Sequence, residues 1–189
     1  MLAAGQLAAF YFASLYVQTV WQVEPGTAGA LFLPFSFCVI IGVVAAPRIA
    51  ARIGRRNALA LHGVVAALGL WLFSRMPAEF DFWLGVLAPS AVCAIGVGGA
   101  MVLVGAVATT GVSEGEAGLV SGIVNSARQL GGTIGLAVLV TLASTFDAPR
   151  DGYRMGFAVG AVFLLVGSLA AWAILSDRDS VARADPART

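Results

Sequence analysis

Residues Gly118–Thr145 read GLVSGIVNSARQLGGTIGLAVLVTLAST. The run is long enough to cross a bilayer as one helix, since about 20 apolar residues span roughly 30 Å of hydrocarbon. Gly118, Ser121, Asn125, Arg128, Gly132 and Gly135 recur at intervals of 3, 4, 3, 4 and 3, which places them on one helical face. Most other positions are Leu, Val, Ile and Ala. In lipid, such a small-and-polar stripe packs inward, where backbones approach closely or water enters. Arg128 is the one arginine inside an apolar run of this chain. An arginine there is expensive unless it meets a partner. Its candidate partners are another polypeptide segment, a helix carbonyl, an anionic part of a substrate, or the headgroup region reached by snorkelling.

Composition points the same way. Only 11% of the 189 residues are charged and 59% are hydrophobic, against about 25% charged in a soluble domain. The mean hydropathy is +0.91. The chain therefore reads as an all-α integral membrane protein with the lipid bilayer as its surroundings. All 11 basic residues are arginine, and the net charge is +1. No basic run is flanked by stacking aromatics, so no nucleic-acid partner is expected. Cys38 and Cys93 sit singly in apolar runs and read as small buried hydrophobes. The first charge is Glu24, so the N-terminus lacks the basic region of a signal peptide, and the first apolar run is a retained helix.

Six apolar runs follow one another, at about 1–21, 28–46, 58–73, 82–108, 118–145 and 155–175. Residues 1–176 are thus expected to form a six-helix transmembrane bundle, with 177–189 as a polar cytoplasmic tail. Pro34 and Pro89 are expected to kink their helices. Gly96, Gly98, Gly99 and Gly105 read as a packing seam. Arginine counts set the orientation. Six crossings put the 47–57 loop, the 109–117 loop and both termini on one side, with seven arginines (Arg48, Arg52, Arg55, Arg56, Arg178, Arg183, Arg188). The other side holds three, Arg75, Arg150 and Arg154, so both termini are expected to be cytoplasmic.

Enzymatic readings fail on inventory. The single histidine, His62, precedes Ser121, and Leu119 stands where a serine protease of the membrane would need glycine. His62 reads as an interfacial or helix-packing residue. One His and two scattered Cys make no metal set, and without lysine there is no phosphate-binding Gly-Lys loop. No catalytic residue is expected. All ten acidic residues, among them Glu114 and Glu116, lie in predicted loops or the tail. The usual proton relay of a driven transporter, an intramembrane carboxylate, is therefore lacking.

The stretch GLVSGIVNSARQLGGTIGLAVL resembles the penultimate helix of the 14-helix drug:proton antiporters of the major facilitator superfamily. FYFASLYVQTVW and TAGALFLPFS resemble the first two helices of that family's C-terminal half. PRIAARIGRR falls where the second copy of its G-x-x-x-D-R-x-G-R-R/K loop belongs. Arg52, Gly54, Arg55 and Arg56 match, while Ala51 replaces the Asp and Pro47 the leading Gly. The resemblance implies half of a transporter that pairs with a second six-helix bundle and exports hydrophobic, often cationic small molecules by alternating access, driven by a proton gradient and with no cofactor. On that resemblance the chain is a fragment, a split gene product or a mis-started frame of an exporter in the plasma membrane. Its partner is then the N-terminal half. The alternatives are a non-transporting scaffold, or a six-helix transporter paired with a second copy of itself.

Tyr11, Tyr16, Gln18, Asn125, Arg128 and Gln129 are the candidate substrate-cavity residues. For the two tyrosines the competing reading is an interfacial aromatic belt. For Asn125 and Arg128 it is the holding together of helices. Gly118, Ser121, Gly132 and Gly135 are the candidate helix-packing positions. Glu114 and Glu116 are placed to pair with Arg55 and Arg56 as a latch.

Overall fold

A computed structural model describes residues 2–109, 112–113 and 115–175. Among them there is no strand. The helices are α1 (Leu2–Leu15), α2 (Pro25–Leu31), α3 (Leu33–Ile53), α4 (Arg55–Phe73), α5 (Ala88–Ala108), α6 (Ala117–Ala143) and α7 (Pro149–Ile174). Wider π-helical turns extend α1 through Tyr16–Val20 and precede α5 at Phe82–Leu87. Five helical segments are long and apolar enough to cross a membrane; α2 and α3 together make one of them, and α1 is the sixth helix of the bundle. The fold is an all-α membrane bundle of six helices.

Prolines and one glycine place the breaks. The kink expected at Pro34 is a full break at Phe32, with φ −93° and ψ 0°, so the second crossing is α2 plus α3. The loop expected over 47–57 is almost absent, because α3 continues through Pro47 to Ile53 and only Gly54 separates it from α4. Gly54 turns the chain at φ 84°, a value that a side chain disfavours. Near Pro89 the break is the π-helical turn, which leaves Pro89 in the first turn of α5, where its missing N–H is harmless. Helix α7 starts at Pro149, which puts Arg150, Asp151 and Arg154 on its first turns and not in a loop.

Helix α5 is the hub. It packs most extensively on α4 and α3, α4 packs also on α7, and α1 packs on α6 and α7. Lipid is as apolar as leucine, so helices in it associate through close contact and not through the hydrophobic effect. The glycines supply that contact. A Cβ at Gly96 would collide with the Ala66 backbone, one at Gly98 with the Val39 carbonyl, and one at Gly99 with the His62 ring. Gly42 and Gly69 meet α5 in the same way, at Ile95 and Cys93. Gly105, by contrast, faces open space. His62 is buried, its Nδ1 donating to the Ala58 carbonyl at 2.8 Å. Aromatic rings fill the centre, with Phe73 stacked on Phe157 at 5.2 Å and Phe12 edge-on to Phe157 at 5.8 Å.

Both ends of the described chain lie at one end of the bundle, where Leu2, Ala46, Leu59, Leu103 and Leu175 share a cluster. There Arg56 donates to the Trp172 carbonyl at 2.6 Å and lies over the Trp172 ring, while the indole N–H donates to Asn57. These contacts tie the start of α4 to the end of α7.

Gly96→Ala is expected to force α4 and α5 apart and to destabilise the bundle by about 1–3 kcal/mol. Gly105→Ala is expected to be neutral or to stabilise by up to about 1 kcal/mol, because it adds helix propensity and touches nothing. Thermal unfolding of the two variants in detergent checks the contrast.

Candidate functional site

Helix α6 carries three distinct faces. The first is buried, through Gly132, Leu139 and Ala143. Gly132 lies against Ala3 and Leu7, and Gly135 against Ala4, so the second half of the small-and-polar stripe packs on α1. The second face is apolar and exposed, with Leu119, Ile123, Leu130 and Ile134 each at least 60% exposed. The third is polar and exposed, formed by Asn125, Ser126, Gln129 and Thr133. The first half of the stripe departs from the inward packing expected of it. Gly118, Ser121 and Asn125 are exposed, and a Cβ at Gly118 would meet nothing. Among the described residues, α1 packs on α6 from the Val124–Arg128 turn onward, through Gly132 and Gly135.

Arg128 sits at the boundary between the packed and open halves. It lines a crevice of about 40 Å³ between α1, α5 and α6, beside Gln6, Val97 and Met101. It also lines a cavity of about 410 Å³ on its other side, toward Gly167 and Ala170 of α7. Gln6 is the one amide in the first 17 residues, and that isolation in an Ala- and Leu-rich run is the signal by which a sequence reading can find it.

The first-helix candidates do not join Arg128. Tyr11 is 40% exposed on the bundle surface, and Gln18 donates to Ser14 at 2.7 Å; neither lines these two cavities. Tyr16 is fully buried and lines neither of them. Its hydroxyl lies 2.9 Å from the Pro77 carbonyl and 3.2 Å from that of Met76, and it accepts from Arg150 Nε at 3.2 Å. Trp21 Nε1 donates to the Pro77 carbonyl as well, and Arg154 Nε to that of Ser74. This knot closes the bundle end opposite the termini. It holds the 74–81 connection by its carbonyls, which is why Tyr16 is drawn inward.

Of the loop motif, Gly54 makes the α3–α4 turn, Arg56 engages Trp172, and Arg52 lies in the last turn of α3, where a cation suits the helix dipole. Arg55 opens α4. In the expected latch, Glu116 accepts from Ser113 Oγ at 2.7 Å. Glu114 and the 177–189 tail lie outside the described residues.

The sequence pattern of the Major Facilitator Superfamily matches residues 1–189. The chain belongs to that superfamily. Cephamycin export protein CmcT of Amycolatopsis lactamdurans is 31% identical over 173 residues, covering 87% of this chain and 36% of that relative. Puromycin resistance protein pur8 of Streptomyces alboniger is 28% identical, covering 94% of this chain and 39% of the relative. The lincomycin resistance protein of Streptomyces lincolnensis is 26% identical, covering 94% and 37%. This superfamily chain therefore spans less than two fifths of the length of these curated relatives.

Tyr16→Phe removes the hydroxyl and leaves Arg150 and two carbonyls to find other partners. It is expected to cost about 1–3 kcal/mol and to expose the 74–81 connection to protease before the helices unfold. Limited proteolysis followed by mass spectrometry checks both the loss and its place.

Proposed function

We propose that this chain is the C-terminal six-helix half of a proton-coupled exporter of hydrophobic small molecules, working by alternating access against a second six-helix bundle. The observation that carries the reading is the exposed polar face of α6, with the amides of Asn125 and Gln129 beside the hydroxyls of Ser126 and Thr133, on a helix of 27 residues. Hydrocarbon offers such groups no hydrogen bonds, so they belong against protein or water. A water-filled cavity shared with a second bundle meets that need, and transporters of this architecture bind at such a cavity near the midplane. The exposed apolar faces of α3 and α6 then divide between lipid and the second bundle. The export and resistance relatives, more than twice as long as the chain, support the same arrangement.

The division of labour follows from charge. Among the described residues, acidic side chains occur at helix ends and in connections: Asp81 caps the turn before α5, Glu116 precedes α6 and Asp151 is in the first turn of α7. The titrating carboxylate is accordingly assigned to the second bundle, and the substrate cavity is shared. The bundle end that holds Leu2 and Leu175 faces the cytoplasm, by the excess of arginine on that side.

The test is vesicle transport under an imposed pH gradient, with a panel of amphiphilic dyes. The native assembly, purified through a tag on this chain, is expected to drive flux that a protonophore abolishes. The chain expressed by itself is expected to move dye no faster than protein-free vesicles. Gradient-driven flux by the chain alone contradicts the proposed division, and protonophore-insensitive flux by the native assembly contradicts the coupling.

A further inference from the structure

The guanidinium of Arg128 lies eleven residues into α6, roughly 16 Å from its start at 1.5 Å per residue. Neither Arg128 nor Gln6 has a hydrogen-bond or ion-pair partner among the described residues. No carboxylate lines either adjoining cavity, and apart from Arg128 the lining of the 410 Å³ cavity is apolar, through Val104, Val124, Gly131 and Ala170. A half-buried cation with no partner among the described residues gains most from an anionic group able to accept its N–H bonds. Gly131, Gly167 and Ala170 put no large side chain into the open groove beside it, whose volume falls in the range of small-molecule sites.

We propose that Arg128, with Gln6 in the adjoining crevice, is a binding subsite for the carboxylate or phenolate of an amphiphilic anionic compound whose apolar body fills the cavity toward α7. The proposal rests on the exporter reading above and narrows it, from hydrophobic compounds in general to those carrying an anionic group. The unneutralised positive charge disfavours cationic compounds at this subsite by simple Coulomb repulsion.

Two xanthene dyes of similar shape and opposite charge test it: fluorescein, which carries a carboxylate and a phenolate, and rhodamine 6G, whose carboxyl is esterified and whose charge is positive. Binding to the native assembly in nanodiscs is read by fluorescence polarisation. Wild-type protein is expected to bind fluorescein with an affinity that falls as salt rises. Arg128→Gln is expected to weaken fluorescein at least about tenfold, as loss of a charged hydrogen bond does, and to leave rhodamine 6G within about twofold. Arg128→Lys keeps the charge on a shorter side chain without the planar fork and is expected to recover part of the loss. Absence of fluorescein binding to wild type, an unchanged affinity in Arg128→Gln, or equal weakening of both dyes overturns the proposal. The last of these is the result expected if Arg128 instead pairs with a carboxylate of the second bundle. Vesicle transport of the same dyes keeps the two readings apart. Arg128-dependent fluorescein binding without transport of either dye sinks the exporter reading and leaves the subsite standing. Transport without Arg128-dependent binding does the reverse.

Discussion

Everything in this bundle depends on how closely α5 approaches α3 and α4. In water, burial of leucine and valine would hold three such helices together. In lipid that driving force is nearly absent, and backbone contact across glycine takes its place. Gly96, Gly98 and Gly99 of α5, with Gly42 and Gly69 opposite, leave room for carbonyls and backbone atoms where side chains would stand elsewhere. The α3–α4–α5 core is thus a rigid platform. Helix α7 attaches to it through α4, where Gly63 receives the Ser168 side chain, and α1 attaches through α7, where Gly156 receives Phe12 and Gly5 receives Leu164.

Helix α6 is the outermost member of that chain of contacts. It leans on α1 through Gly132 and Gly135 and on α7 through the Ala143–Gly152 contact, and its first turns stand clear. The same helix therefore runs from a packed segment into an open one, and Arg128 marks the transition. Packing explains why the polar face can exist at all. Since α6 contributes little to the platform, its amides can face outward without loosening the core. The opposite end of the bundle is closed by the Tyr16–Arg150–Pro77 knot and the Trp21 indole. One end is tied by side chains reaching loop carbonyls, and the other by Trp172 gripped between Arg56 and Asn57.

Much of this was legible in the sequence. Six apolar runs separated by short polar punctuation match six helical segments, five of them long and apolar enough to cross a membrane, and the spacing of small residues in α5 marks the face that approaches its neighbours. Pro47 and Gly54 were harder. Proline usually ends a helix, yet α3 runs through Pro47, and a glycine at positive φ then makes the whole α3–α4 turn with a single residue. Tyr16 is ambiguous because an aromatic with a polar tip suits a cavity, an interface or a buried carbonyl equally well. Only the fold shows that Met76 and Pro77 arrive beside it. The stripe on α6 reads as one surface, but its two halves have different surroundings among the described residues, because periodicity reports a shared face and not what packs against it. Gln6 shows the converse: a lone amide acquires meaning only when α6 brings Arg128 to the same crevice.

The central claim is that the amide face of α6 meets water in a cavity while its apolar face meets lipid. Spin labels at Gln129→Cys and Ile134→Cys, placed one at a time on a Cys38→Ser background in the membrane-reconstituted native assembly, read this directly through collisions with a polar relaxation agent and with oxygen. The account predicts that the label at 129 is relaxed by the polar agent, and that the label at 134, where the isoleucine is 64% exposed, is relaxed by oxygen. A label at 129 that sees oxygen alone, or neither reagent, would mean that the face is turned to lipid or locked against protein, and the cavity reading would have to be given up.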